Sequence, residues 1–214
     1  MDASRRTLLG GLLVALVVTS GCLGVVTGNE PLVLTANEAG VSDAALSATD
    51  FEHEETRTAW INRTVERAGQ EREIRVQNHV STYQRPPSID PTSGITFGVF
   101  VVVSTPKASV AGQSFNPIGQ MSHEQMMEQF VGQSADVRDV QREDSRTLTV
   151  LGSEADVTRF SGVVQRSGQE IPVYVEVTRV GDGDDFVVAL GVYPQETADE
   201  VRPGVTTLFE GIEH

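Results

Sequence analysis

Residues 171–178 read Ile-Pro-Val-Tyr-Val-Glu-Val-Thr, which puts Ile171, Val173, Val175 and Val177 on one side of an extended chain and Tyr174, Glu176 and Thr178 on the other. Side chains of a strand point alternately to opposite faces, so this period-2 pattern predicts a β-strand. The same alternation marks residues 146–151, 157–165 and 186–192. The links Arg166-Ser167-Gly168-Gln169 and Gly181-Asp182-Gly183-Asp184 are of hairpin length and carry the glycines that tight reversals require. Upstream, residues 95–104 (ITFGVFVVVS) are nearly all apolar, as expected of a central strand buried on both faces. Strand after strand joined by short turns gives a mainly antiparallel sheet.

Outward from this sheet, residues 32–36 suit a short strand. Residues 37–49 suit a short helix with Ser42 and Asp43 as caps. Residues 51–66 and 71–83 are polar but β-compatible, separated by the turn Arg67-Ala68-Gly69-Gln70. That turn and the following Glu71 differ at one position from Arg166-Ser167-Gly168-Gln169-Glu170, a likeness that reads as two turns sharing one local solution. Residues 85–94, with Pro86-Pro87, read as an irregular loop. Ser122 and Gln125 form a capping box for a helix whose apolar stripe is Met126, Met127, Phe130 and Val131. A final helix carries Val205, Leu208, Phe209 and Ile212 on one side, with Pro203 expected in its first turn. The fold class is α+β: one mainly antiparallel sheet of about six to eight strands, with two or three helices packed on it, one of them C-terminal.

Ahead of the domain lies an address. Ser4-Arg5-Arg6-Thr7-Leu8-Leu9 precedes an apolar run of 11 residues, 8–18, in the 214-residue chain. A bilayer-spanning helix needs about 20 residues, so the run reads as the core of an export signal. The order around Arg5 and Arg6 resembles the twin-arginine export motif. Thr19-Ser20-Gly21-Cys22 resembles a lipoprotein cleavage box, with Thr19 where leucine is usual. Cys22 is the only cysteine, which excludes an intrachain disulfide and any CxxC site and makes it the expected lipid attachment point. Stable anchoring takes two chains, which a diacyl- or dialkyl-glyceryl thioether supplies. The expected organisation is thus a signal peptide over 1–21, a lipidated Cys22 with a short tether over 22–30, and one domain over 31–214.

Charge narrows the partners. The chain carries 16 Lys+Arg against 30 Asp+Glu, a net charge of −14, and Lys107 is its only lysine. Such an acidic excess argues against nucleic acid. Loss of the leader, with Asp2, Arg5 and Arg6, takes the charge to −15. That surplus destabilises a compact fold unless salt screens it, and in molar salt the screening length is about 3 Å. The composition resembles that of haloarchaeal proteins and predicts a domain that unfolds in dilute buffer.

Motifs for chemistry are sparse. His53-Glu54-Glu55 and His123-Glu124 open like zinc motifs, but neither has a second histidine four residues on, and the remaining histidines are His79 and His214. Gly112-Gln113-Ser114-Phe115-Asn116 lacks the closing glycine of a nucleophile elbow, and no phosphate-binding loop surrounds Lys107. The turn of residues 182–185, with Asp182, Asp184 and Asp185, offers oxygen ligands but lacks the spacing of a calcium loop and reads as a charged hairpin. Asn62-Arg63-Thr64 is a glycosylation sequon. No catalytic, cofactor or metal residue is assigned. The contact surface, if loops supply it, is residues 111–119 with 85–94.

The leader, the segment Ala111-Gly112-Gln113-Ser114-Phe115-Asn116-Pro117, the pair Tyr193-Pro194 and the final Glu213-His214 together resemble a family of haloarchaeal lipoproteins carrying a domain of unknown function. The resemblance covers essentially the whole chain and implies the same address with no assigned activity. The element order also looks loosely similar to PsbP-like α/β/α sandwiches, often accessory subunits of membrane complexes. The expectation is a lipid-anchored, non-enzymatic binding or accessory protein at the outer membrane face, partnered by the membrane through Cys22 and by an envelope component. The rival readings are a hydrolase with a site assembled from distant residues, and a small solute-binding lipoprotein.

Overall fold

The computed structural model describes residues 31–214 apart from 68–69, 91–93, 108, 111–112, 115, 135–136 and 167. Cys22, Arg5 and Arg6 lie outside the described residues. In chain order the elements are β1 (Leu32–Thr35), β2 (Gly40–Val41), α1 (Asp43–Ser47), β3 (Glu52–Arg67), β4 (Gln70–Asp90), β5 (Gly94–Pro106), β6 (Ser109–Val110) and β7 (Gln113–Ser114). A 3-10 turn (Pro117–Gln120) follows, then α2 (His123–Ser134), β8 (Val137–Val150), β9 (Ser153–Arg166), β10 (Gln169–Asp182), β11 (Asp185–Pro194), α3 (Ala198–Glu210) and β12 (Ile212–Glu213).

The chain divides into two units. One holds the described residues up to Leu34 together with Ile61–Val76; the other holds Thr35–Trp60 and Gln77–His214. The sheet runs β1-β4-β5-β11-β10-β9-β8, with β3 paired to β4. It is a mixed sheet rather than a purely antiparallel one. The hairpin series predicted from sequence is nonetheless antiparallel: β8 with β9, β9 with β10, β10 with β11, and β11 with β5.

The larger unit buries both faces of its sheet. On one face Tyr174, Val157, Val187, Ala189, Phe100, Val102 and Tyr193 pack with Val201, Val205, Leu208 and Phe209 of α3. On the other, Val173, Val175, Val177, Val188, Leu190 and Val103 pack with Ile118, Met126 and Met127. The alternation read at residues 171–178 is therefore correct, but the side carrying Glu176 is as buried as the valine side. The third helix, α1, takes Ser42 as its N-cap, the hydroxyl accepting from the Ala45 amide at 3.3 Å.

The capping box forms as read. The Ser122 amide donates to the Gln125 side chain at 2.9 Å, and the Gln125 amide donates to Ser122 Oγ at 3.3 Å. Three expectations need correction. The predicted loop 85–94 begins as strand: β4 runs to Asp90, absorbing Pro86-Pro87 through a register shift between Arg85 and Ser88, as prolines in sheets require. Pro203 sits in the interior of α3 rather than its first turn. Ile212 belongs to β12, which pairs with β2, and not to the helix.

Candidate functional site

The most unusual chemistry lies beneath α3. Glu176 occupies the middle of β10 with 0% exposure, between Val175 and Val177 in a strand that also carries Val173 and Val180. A carboxylate taken from water is costly unless it is paired and hydrogen-bonded. Three donors meet that requirement. Arg146 Nη2 reaches Oε2 at 2.7 Å, while Arg202 Nε and the Tyr193 hydroxyl both reach Oε1 at 3.1 Å. They come from β8, α3 and β11, so one carboxylate ties the helix to the sheet across three strands.

Burial, and then the charge of Glu176, hold the Tyr193 phenol well above the usual tyrosine range, so it stays protonated and donates. Arg159, directly across from Glu176 in the β9–β10 register, pairs with Asp144 at 2.6 Å and lies 4.6 Å over the Tyr174 ring. Three guanidinium groups thus surround two carboxylates. The Nε atoms of Arg146 and Arg159 are buried without a hydrogen-bond partner. Glu176 is shut off from solvent on all sides, which suits a structural clasp and leaves it no route to a substrate proton.

A second clasp forms at His214. Its Nδ1 lies 2.8 Å from Asp182 Oδ2 and its Nε2 lies 3.1 Å from Asp185 Oδ2. Asp185 also accepts from the Asn37 amide at 2.8 Å. Ser104 Oγ stands 3.4 Å from His214 Nε2, so Ser104, His214 and Asp182 follow the order of a nucleophile–base–orienter set. Ser104 has 0% exposure, however, and the nitrogen that would activate it already faces Asp185. The arrangement joins the β10–β11 turn to β5 and to the segment before β2.

That turn is the acidic hairpin picked out from sequence. Asp182 and Asp185 face His214, and Lys107 Nζ donates to the Gly183 carbonyl at 2.7 Å. Among the described residues no group of three His, Cys, Asp or Glu is placed to hold a metal ion.

Of the two segments proposed as a contact surface, residues 91–93, 111–112 and 115 lie outside the described residues, Pro86, Pro87, Ser88 and Pro117 are exposed, and Arg85 and Asn116 are held in internal bonds. Asn116 is buried: its side-chain nitrogen donates to Thr105 Oγ1 at 3.0 Å and the Pro106 carbonyl at 2.6 Å, while its oxygen caps the Ile118 amide at 3.0 Å. Pro117 follows at the start of the 3-10 turn, where its missing N–H costs nothing. Arg85 pairs with Asp50 at 3.3 Å and with Glu200 in the first turn of α3. His53 bonds Thr56 at 2.9 Å, and His123 Nδ1 meets Thr158 Oγ1 at 2.7 Å. Burial first, and the nearby Arg179 guanidinium second, push His123 below the usual histidine range. Asn62 is exposed on β3. A shallow groove of about 570 Å³ lies beside Ile95, Ile171, Pro172 and Pro194.

Sequence reasoning missed the Glu176 cluster. Its signal was present: a lone glutamate inside a β-branched run that also aligns with an arginine in the next strand.

The larger unit is thus an α+β arrangement whose sheet has both faces covered and in which Glu176, Asp185 and His214 are held in internal contacts. The chain belongs to the family described as a domain of unknown function, DUF6517, whose model matches residues 38–213. Among curated proteins, none matches the chain. Several solved structures are distantly similar, two of which are as follows. One is a Pseudomonas aeruginosa protein of unknown function, PA94, a putative regulator, at 12% identity over 67% of this chain and 90% of that one, TM-score 0.38. The other is LpqN of Mycobacterium tuberculosis, described as involved in cell envelope biogenesis, at 10% identity over 81% of this chain and 96% of that one, TM-score 0.36. Both scores are low, and nothing about activity follows from them.

Proposed function

We propose that this protein is a lipid-anchored, non-enzymatic component of the outer face of the cell membrane, exported by the twin-arginine route and tethered through Cys22. The observation that carries this reading is the leader: Arg5-Arg6, an apolar run too short to span a bilayer, and the chain's only thiol directly after Thr19-Ser20-Gly21. The interior supports it. Glu176, Asp185, His214 and Arg85 are consumed in bonds that hold elements together, and the serine–histidine–aspartate set lacks an accessible nucleophile.

Replacing Cys22 by serine tests the anchor. The variant should leave the membrane fraction; a Cys22→Ser protein that stays membrane-bound at the processed size defeats the reading. The hydrolase rival predicts that Ser104→Ala abolishes ester or peptide cleavage by purified protein, whereas the reading offered here predicts no cleavage in either form. The acidic surplus further supports a salt-adapted, haloarchaeal setting. Circular dichroism of the mature domain should show loss of structure in dilute buffer and recovery in molar KCl. Full folding at low salt removes that part of the proposal.

A further inference from the structure

We infer that Asn62 on β3 is an N-glycosylation site, which takes an oligosaccharide from a lipid-phosphate-linked donor at the outer face of the membrane. This rests on the export and anchoring just proposed.

The sequence supplies one acceptor. Of the chain's five asparagines, Asn62 alone is followed by a residue other than proline and then by Ser or Thr, in Asn62-Arg63-Thr64. The fold decides whether such an acceptor is usable, because the twin-arginine route delivers a chain that is already folded. An amide locked inside the domain is then out of reach. Asn78 and Asn116 are buried, and the Asn37 amide group donates to Asp185 Oδ2 at 3.3 Å. By contrast Asn62, Arg63 and Thr64 are all exposed, as is the preceding Ile61.

Successive side chains of a strand point to opposite faces, so both faces of β3 are open at residues 61–64. Asn62 and Thr64 share one face, with Cα atoms about 7 Å apart. A transferase therefore meets the acceptor amide and the hydroxyl from the same side. Among the described residues β3 joins the sheet through β4 alone, which leaves its other edge open to approach. A glycan is bulky and hydrated, and an exposed strand position accepts it without displacing a core side chain.

The chemistry sets the donor. A bond forms from Asn62 Nδ2 to the anomeric carbon of the sugar, and the bond from that carbon to the donor's phosphate oxygen breaks. The amide proton passes to a base of the transferase, and the lipid phosphate leaves with the electron pair. The donor's lipid chain holds it in the membrane to which Cys22 tethers this protein, so donor and acceptor share one surface.

Full-length protein expressed in its own host and recovered from the membrane fraction would be measured by intact-mass and peptide-level mass spectrometry. The expected mass exceeds that of the processed, lipidated chain by whole sugar residues, with the excess on the peptide that holds Asn62. Asn62→Gln should lose the excess completely. Thr64→Val, which keeps a β-branched side chain without the hydroxyl, should lose it as well, and Thr64→Ser should keep it. Unchanged circular dichroism shows that the variants fold. Membrane-bound wild type at the mass of the processed, lipidated chain overturns the glycan and leaves the anchor standing. Excess mass that survives in Asn62→Gln or in Thr64→Val also overturns the assignment. Protein kept inside the cell with its leader uncleaved overturns the export reading, and the glycosylation with it.

Discussion

The two faces of the sheet in the larger unit are built from alternate residues of the same strands, yet they are held by different physics. Beneath α2 the contacts are volume against volume: Val173, Val175 and Val177 meet Met126 and Met127. Beneath α3, the next residues along the same strand bring Glu176 to Arg146, Arg202 and Tyr193 inside an otherwise apolar layer. The difference is between stability that depends on shape and stability that depends on charge. An apolar face tolerates apolar substitutions that keep its volume. A buried ion cluster tolerates almost none that removes a single member, because the partners are left uncompensated.

The sharpest way to break this comparison is a pair of nearly volume-preserving changes. Glu176→Gln keeps the shape but strands two guanidinium groups, and should lower unfolding free energy by about 3 kcal/mol. Met126→Leu, equally buried on the other face, should cost less than about 1.5 kcal/mol. Chemical denaturation of both variants beside wild type reads the contrast directly, and equal losses would erase the distinction.

Close packing of α3 gives the next effect. A Cβ at Gly191 would meet Val205 Cγ1 at 2.6 Å, so Gly191→Ala should push the helix outward and cost about 1–3 kcal/mol. On the opposite face the start of α2 depends on its capping box. Ser122→Ala should cost about 1 kcal/mol, visible as a lower thermal midpoint.

The smallest effect is a pH dependence that belongs to the α2 face. His123 is held below its ordinary range by burial and by Arg179, so the folded protein binds its proton less readily than the unfolded chain does. Stability is therefore full above about pH 6.5 and falls as the pH drops below it. Denaturation at pH 7.5 and pH 5.5 should show the loss, and His123→Gln should flatten it. A variant with the wild-type slope would assign that slope to other groups.

Much of this fold is legible in the chain because period-2 alternation and hairpin-length turns are local signals. Residues 157–165, 171–178 and 186–192 lie within strands, the reading of 146–151 overruns β8 by Leu151, which begins the turn to β9, and Ser122 with Gln125 forms its box. What local patterns hide is where ends lie and who meets whom. The first half of β8, residues 137–145, is polar and bulged because it is an edge strand mostly facing water, so no apolar alternation marks it. Pro86-Pro87 reads as a loop because the register shift that accommodates it depends on the neighbouring strand. Pro203 reads as a first-turn residue because the pattern cannot show that the packing of Val201, Val205 and Leu208 outweighs one missing bond.

The site was harder still. Asn116, Tyr193 and His214 belong to the segments that carry the family resemblance, and each proves to be a buried polar fastener. Their partners, Thr105, Glu176 and Asp185, lie 11, 17 and 29 residues away along the chain. Separations of that kind are fixed by topology and are invisible to spacing rules.

The central claim is that the Glu176 ion cluster adds a charge-dependent fastening of α3 to its face of the sheet, over and above the apolar packing of Val201, Val205, Leu208 and Phe209. A double-mutant cycle between Glu176 and Arg202 of α3, measured by denaturation of Glu176→Gln, Arg202→Met and the combined variant, tests it most directly. A coupling of about 1–3 kcal/mol, with the double variant little worse than either single one, is the predicted outcome. Losses that simply add would contradict it.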